Sequence, residues 1–518
     1  MDDLRPFWAI DPRVIRKTAA RLSNNEHDTV AGVHIRERRV AKLTNQCWRS
    51  KTMARVISRF VQHLPDMDIA MNQLDQPRAV VPFAEIQKLL AVELGSRQML
   101  PGIRDQFTKD MEFLLDFKNP NPSDNEDDST DPQWFPYQGK QYMDLARLAC
   151  PPDSPSRNEN MTIADADALY KENLGRLVTN FNLSTDLCTV GPAIQDKHGF
   201  LFTASSVMAT IRLVPIFSEC KVSVNNDILF PANMYSLNDK RYTYDATHDV
   251  EWERKANVLI WRGVTSGGAQ DKSNWQGMHR QRLVMLANGT YMNGQEVTIL
   301  SVHGEHNENK GEYYQFPHFE PSKFAREHFD IGFTESWGCL PNCSFYDDVW
   351  TYKPTIQFSE QFMDKFLIDV DGHSFSGRWR AFLLSKSLGI KTTIFREWHD
   401  SRLFAWRHFV PLDNRYDDLY SIMTSFIGVG HPGSSHNPNS NQQSIADAYV
   451  RRHDFQSKRI ALQGRDWAHR VLRNEDIEIY MFRLLLEYGR IIDDHRDEIG
   501  YSGDGSELDD FDKTHPFY

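Results

Sequence analysis

No stretch of this chain is long and apolar enough to cross a bilayer as a helix. The best candidate, Leu201 to Phe217, is interrupted by Ser205, Ser206 and Arg212, short of the roughly 18 to 20 apolar residues a span requires. Positive charge is also in deficit: 59 Lys and Arg face 71 Asp and Glu, for a net charge of −12. Such a balance repels polyanions and excludes general nucleic-acid or anionic-membrane binding, although local basic clusters could hold a nucleotide. Cysteine is scarce, with six in all (Cys47, Cys150, Cys188, Cys220, Cys339 and Cys343), an even set compatible with up to three disulfides. No repeat recurs at a fixed period. The opening Met1-Asp-Asp-Leu-Arg-Pro lacks the pattern of a signal peptide. What the chain does have is bulk: 518 residues, 40% hydrophobic and 12% aromatic, enough for large cores and two domains.

The most informative stretch is Phe366 to Pro411. Phe366-Leu-Ile-Asp-Val370 reads as a short apolar strand, Asp371-Gly-His-Ser-Phe-Ser-Gly377 as a small, polar turn, and Trp379, Phe382 and Leu383 at i, i+3 and i+4 as a helix. Lys386 lies near the far end of that helix, where a cation complements the dipole. Amide groups at a helix start have no internal partner, so a diphosphate there gains hydrogen bonds, and Arg378 adds a planar fork. The expected ligand is a nucleotide. A second constellation, Trp261-Arg-Gly-Val-Thr-Ser-Gly-Gly268, ends the predicted strand Asn257 to Arg262. Its glycines let backbone approach a ligand, Thr265 and Ser266 bring hydroxyls, and Arg262 brings charge. A helix predicted over 274–288 carries Arg280 and Arg282, of which Arg280 taken alone reads as a surface charge. A third constellation is Asp68-Ile-Ala-Met-Asn-Gln-Leu-Asp-Gln-Pro-Arg78: Asp75 follows a buried strand, Met67 to Asn72, and precedes Pro77, so its carboxylate should emerge at a strand end facing a cleft. On its own an aspartate in a turn is more often structural.

These segments, with Ser385-Lys-Ser387, Phe395-Arg-Glu-Trp398 and Arg407-His-Phe-Val-Pro411, resemble the donor-site core of the family 90 glycosyltransferases. That family comprises capsule-associated fungal enzymes, with the animal protein O-glucosyltransferases as relatives, and the closer likeness is to the fungal branch. It runs from Leu4-Arg-Pro-Phe-Trp8 to Tyr480-Met-Phe-Arg-Leu-Leu-Leu-Glu-Tyr488, and the ordered combination is more specific than any one motif. The resemblance implies a GT-B architecture, two Rossmann-like α/β domains facing across a cleft. Residues 1–240 would form the acceptor-side domain, 241–475 the UDP-sugar domain, and 476–518 a last helix crossing back to the first domain, followed by an acidic tail. It implies inverting transfer of a sugar, xylose first and glucose next, from a UDP-sugar to a hydroxyl of a glycan or glycoprotein. Asp75 would be the catalytic base, with Asn72 and Arg78 keeping its local pattern. Donor contacts would come from Arg262, Gly263, Thr265, Ser266 and Arg282, from Asp371, Gly372, Ser374, Phe375, Ser376 and Arg378, and from Glu397. Asp371 would meet donor hydroxyls and Glu397 the ribose, unless Glu397 simply pairs with Arg396 or Arg402. No metal or other cofactor is expected. Family members work in the secretory pathway, often behind an N-terminal membrane anchor, so the full-length protein is expected to be anchored there through a segment absent from this chain.

Other signals carry less. Gly428-Val-Gly-His-Pro-Gly433 matches a dinucleotide fingerprint by letter, but Pro432 and the Ser/Asn-rich run after it leave no helix. The spacing Asp-x-Asp occurs at 66–68, 165–167 and 369–371, three scattered copies of a cheap pattern. His303-Gly-Glu-His306 lacks zinc-hydrolase spacing, and Cys339 and Cys343 form a local disulfide or simply pack. Four sequons, at Asn160, Asn182, Asn288 and Asn342, fit a secretory compartment. Polar loops are expected over 119–131 and 431–444, a terminal helix over 477–493 with Ile479, Phe482, Leu485 and Leu486 on its apolar side, and a loose tail over 500–513. A non-catalytic carbohydrate-binding protein of the same fold and a cleft glycoside hydrolase are the alternatives; the hydrolase needs two carboxylates flanking one bond, and only Asp75 has motif support.

Overall fold

The computed structural model describes residues 2–25, 28–96, 106–118, 130–237, 239–303, 311–431 and 448–500. Apart from their end residues, the loops expected over 119–131 and 431–444 and the tail over 500–513 lie outside the described residues, as do most of His303–His306 and the end of Gly428–Gly433.

The chain is an α/β fold built on two five-stranded sheets flanked by helices. The first sheet is mixed. Its strands are β1 (Val30–Arg36), β2 (Arg39–Thr44), β3 (Met67–Asn72), β4 (Ile216–Ser218) and β5 (Ile228–Leu229), in the order β2-β1-β3-β4-β5. β1 pairs antiparallel with both β2 and β3, whereas β3, β4 and β5 run parallel. The second sheet is parallel throughout: β6 (Ala256–Val264), β7 (Phe329–Glu335), β8 (Asp364–Val370), β9 (Leu388–Thr392) and β10 (Val410–Pro411), in the order β7-β6-β8-β9-β10. A central parallel strand is covered on both faces, which explains why β8 reads as a near-continuous apolar run and is buried from Lys365 to Val370. β3 is buried along its whole length, and its one acidic side chain, Asp68, is satisfied by His34, Arg36 and the Leu115 amide.

Six helices position the sheets and their connecting loops. Helix α1 (Pro12–Asn24) is started by Asp11, which caps the Arg13 amide, with proline at the first helical position. Helix α2 (Trp48–Ile57) packs beside the first sheet, and α3 (His279–Leu286) follows β6. Helix α4 (Trp379–Leu384) is the single turn and a half after the loop that leaves β8. Helix α5 (Asp454–Val471) lies against β9 and buries mainly small residues: Ser457, Ala461, Gly464 and Ala468. A Cβ on Gly464 would come within 2.1 Å of the His408 carbonyl oxygen, so glycine sets the closeness of this contact. Helix α6 (Asn474–Ile491) packs Met481, Leu484, Leu485 and Tyr488 into the core of the first sheet, against Met67, Ile69 and Phe217. One core is shared between the halves: Tyr142, Leu187 and Phe200 pack with Trp379, Phe382 and Phe409, across the boundary drawn at residue 240.

Strand β9 ends at Thr392, because the Asp371 carboxylate takes the Ile394 amide and the Thr393 hydroxyl. The structure departs from the sequence reading at two places. The helix expected over 274–288 is a short 3-10 turn (Trp275–Gly277), an extended Met278, and then α3. On α6 the buried stripe is Ile477, Met481, Leu484, Leu485 and Tyr488, and Ile479 is exposed.

That stripe makes a prediction. Leu485→Ala should cost about 2–5 kcal/mol, as for other fully buried leucines, whereas Ile479→Ala should stay within about 0.5 kcal/mol of wild type, as for surface positions. Denaturant unfolding of both variants checks this; equal losses would show that the helix presents another face.

Candidate functional site

In open α/β sheets, ligands settle outside the carboxyl ends of the strands, and here the carboxyl ends of both sheets meet. From the first sheet come Gln73–Arg78 after β3 and Glu219–Lys221 after β4. From the second come Thr265–Gly268 after β6, Ser336–Gly338 after β7, Asp371–Arg378 after β8 and Thr393–Glu397 after β9. Several contacts join the two sets. The Gln76 amide donates to the His373 carbonyl at 2.9 Å, and Ser205 Oγ lies 2.9 Å from His373 Nδ1. Lys221 and Arg396 exchange both backbone hydrogen bonds. The Tyr235 hydroxyl donates to Glu397.

Asp75 stands at the first-sheet side of this meeting, exposed. Its turn is framed by Asn72, whose side chain donates to the Gln76 carbonyl at 2.8 Å and accepts from the Leu74 amide at 3.0 Å. One carboxylate oxygen of Asp75, Oδ1, is held by Arg49; the other accepts no hydrogen bond from any described residue. Arg78, by contrast, is fully buried and structural. Its backbone amide and that of Ala79 bond the Asp227 carboxylate, and its guanidinium lies over Trp134 and donates to the Met208 and Asp28 carbonyls.

On the second-sheet side, two arginines crowd one tryptophan. The guanidinium of Arg280, on α3, lies 5.3 Å from the ring centre of Trp261, and that of Arg378, at the start of α4, lies 5.6 Å from it. Arg280 donates to the Asp371 and Val264 carbonyls and to Ser266 Oγ; Arg378 donates to the Arg262 carbonyl at 2.7 Å and approaches Ser376 Oγ at 3.4 Å. Among the described residues no carboxylate forms an ion pair with either. Burial, and next the charge of Arg378, pushes the Arg280 pKa down to about 9; burial lowers that of Arg378, against the pull of Asp369. Gly372 makes this packing possible, since a Cβ there would sit 2.9 Å from an Arg280 nitrogen.

Several other residues named from sequence have their side chains engaged inside the protein. Arg262 turns to the outer strand, pairing with Asp330 at 2.7 Å. Thr265 Oγ1 is spent on the backbone of Trp337, as donor and acceptor. Asp371 is buried, its carboxylate taken by Thr393, the Ile394 amide and, at 3.3 Å, His198, so it presents no oxygen for donor hydroxyls. Arg282 points away from the loops and donates to the Lys197, Asn414 and Arg415 carbonyls; the helix arginine that meets the loops is Arg280, which reads from sequence as a surface charge. Residues two apart on a helix point to opposite sides, and spacing alone does not say which side faces the ligand. Gly263 lies against Trp261, and Ser374 and Phe375 lie beside the buried Cys220 thiol, whose ionisation burial suppresses.

Glu397 belongs to an ionic network that is buried except at Asp400. Its carboxylate meets Lys391 at 3.2 Å and His399 at 3.3 Å, Lys391 also reaches Asp369 at 3.4 Å, and His399 stands 3.1 Å from Asp400. The histidine nitrogens are at ion-pair distance without aligned hydrogen bonds. Burial alone would raise the Glu397 pKa, but His399 and Lys391 hold it down to about 2. Burial would lower that of His399, but Glu397 and Asp400 push it up to about 9. Glu397 therefore neither is a surface residue nor reaches open solvent in this conformation.

Among the described residues no group of three or more His, Cys, Asp or Glu is placed to hold a metal ion, and no helix is long and apolar enough to cross a membrane. Comparison with models of known protein families finds no match.

The network has a pH signature. Folding raises the His399 pKa from 6.5 to about 9, so its contribution is complete below pH 6.5 and disappears as pH rises through 9, up to about 3 kcal/mol in all. His399→Gln should be less stable than wild type at pH 6 and should converge with it by pH 10. A constant gap across that range in denaturant unfolding would show that His399 does not bind its proton more tightly in the folded state.

Proposed function

We propose that this protein is an inverting glycosyltransferase with a GT-B arrangement, moving a sugar from a UDP-sugar to a hydroxyl of a glycan or glycoprotein. Xylose is the favoured sugar and glucose the next. The observation that carries this reading is the Arg280–Arg378 pair: two guanidiniums packed on Trp261 with no ion-paired carboxylate among the described residues, at the carboxyl ends of a parallel sheet, across from an exposed aspartate. Like charges brought together out of water favour an anionic ligand, and a diphosphate supplies that charge. The ordered motifs that resemble family 90 support the same assignment. In this reading Arg378, Ser376 and the loop amides meet the diphosphate, with Arg280 behind them; Arg262, Thr265, Asp371 and Arg282 hold the loops in place.

In the reaction, the acceptor hydroxyl oxygen attacks the anomeric carbon as the bond to UDP breaks, and the electron pair of that bond leaves with UDP. The hydroxyl proton passes to the free Oδ2 of Asp75. The arginine pair stabilises the charge growing on the departing diphosphate. A hydrolase would need a second carboxylate beside the first, but Glu219, which shares Arg49 with Asp75, is spent on Arg49 and the Asn233 amide. A secretory lumen is the proposed compartment. Disulfides at Cys150–Cys188 and Cys339–Cys343 and exposed asparagines in all four sequons support it.

Arg378→Ala should weaken UDP binding at least tenfold while the fold persists, and Arg378→Lys should restore only part, since an ammonium is a point charge rather than a fork. Calorimetry that finds wild-type UDP affinity in a folded Arg378→Ala protein removes the phosphate assignment. Asp75→Asn should lower transfer by roughly a hundredfold to ten-thousandfold and leave UDP binding intact. Transfer near the wild-type rate would mean that Asp75 is not the base, and joint loss of UDP binding would contradict the division between the two sheets.

A further inference from the structure

Asp75 does not stand alone at its strand end. All three nitrogens of the Arg49 guanidinium are committed: Nε to Glu219 Oε2 at 3.0 Å, one terminal nitrogen to the Gln73 carbonyl at 2.9 Å, and the other to Asp75 Oδ1. Glu219 is itself fixed, because its second oxygen accepts the Asn233 amide at 2.8 Å. Trp48 lies against the guanidinium, 4.7 Å from ring centre to Arg49 Cζ. Arg49 is thus clamped from the ends of β3 and β4 at once, and among its described hydrogen-bond partners only Asp75 is exposed.

We propose that Arg49 is the positioning residue for the Asp75 base, holding Oδ1 so that Oδ2 faces the acceptor hydroxyl, with Glu219 anchoring Arg49. The inference rests on Asp75 being the base. The Arg49 guanidinium also sets a positive charge directly beside the Asp75 carboxylate. The charge is apportioned, since one cation serves two carboxylates and the group carries a net charge of −1. The titratable or charged groups facing Asp75 are Arg49 from α2, Glu219 and Cys220 from the segment after β4, and His373 from the loop after β8. Burial lowers the His373 pKa, with the Asp75 charge opposing it.

The test is the pH profile of transfer in purified protein with a UDP-sugar and a hydroxyl acceptor. Arg49→Met should reduce kcat by about a hundredfold through misplacement of the base, and should move the acid limb of kcat/KM up by about one unit or more as the cation is lost. UDP affinity should not change. Arg49→Lys keeps the charge but cannot bridge both carboxylates, so its acid limb should return toward wild type while kcat stays low. Glu219→Gln removes a neighbouring negative charge and should move the limb the opposite way, to lower pH. Repeating the comparison in a His373→Gln background assigns the limb to Asp75. A merely structural Arg49 would lose stability and UDP binding together without moving the limb. Wild-type kcat and an unmoved limb in Arg49→Met, with Asp75→Asn inactive, overturn the positioning role and leave the base assignment standing. Wild-type transfer in Asp75→Asn overturns both. If Arg49→Met does not fold, Glu219→Gln decides: a limb that stays or rises contradicts the proposal.

Discussion

Two positive charges share one tryptophan at the carboxyl end of the parallel sheet, and among the described residues neither has an ion-paired carboxylate of its own. Arg280 and Arg378 are held there by main-chain carbonyls at the strand ends, those of Arg262, Val264 and Asp371. Carbonyl oxygens satisfy the N–H groups but leave most of the charge unbalanced. The structure around the pair serves to keep it together. Gly372 clears the space beside Arg280. Asp371 fixes the loop by bonding Thr393 and Ile394 with its carboxylate and Arg280 with its carbonyl. Trp261 supplies a polarisable face that is itself buried. In the proposed reading, an anion delivered to this point relieves the repulsion between the pair, so a diphosphate is favoured over a neutral ligand.

The two sheets are tied firmly enough for a residue on one to act on a ligand held by the other. The shared core packs Tyr142 and Phe200 with Trp379 and Phe382. Above it, the Tyr235 hydroxyl joins the Glu397, Lys391 and His399 network, and Gln76 bonds the loop that follows β8. Helix α6 returns to the first sheet through Leu484, Leu485 and Tyr488. Arg49 continues this logic on the first-sheet side, where a rigid cation leaves a single carboxylate oxygen free.

Much of this is legible in the sequence, and the misses have physical causes. The strands 67–72 and 366–370 announce themselves because buried parallel strands are apolar runs. Asp75 stands out because a strand end followed by proline points a side chain outward. Helix α5 escapes notice because, apart from Ile460, its buried face is made of Ser457, Ala461, Gly464 and Ala468, small residues that leave no bulky periodic stripe. Arg280 yields to Arg282 in a reading by motif because only the packing of α3 says which of them faces the loops. Arg262, Thr265 and Asp371 look available because sequence shows a side chain's chemistry but not its partners. Arg49 carries no sequence signal at all, since its neighbours Gln73, Asp75 and Glu219 come from the ends of two separate strands.

The most direct measurement of the central claim is isothermal titration of the unmodified protein with UDP and with uridine, each at several salt concentrations. If the arginine pair holds a diphosphate, UDP binds far more tightly than uridine and its affinity falls as salt rises. Equal affinity for the two, or UDP binding indifferent to salt, would contradict the account.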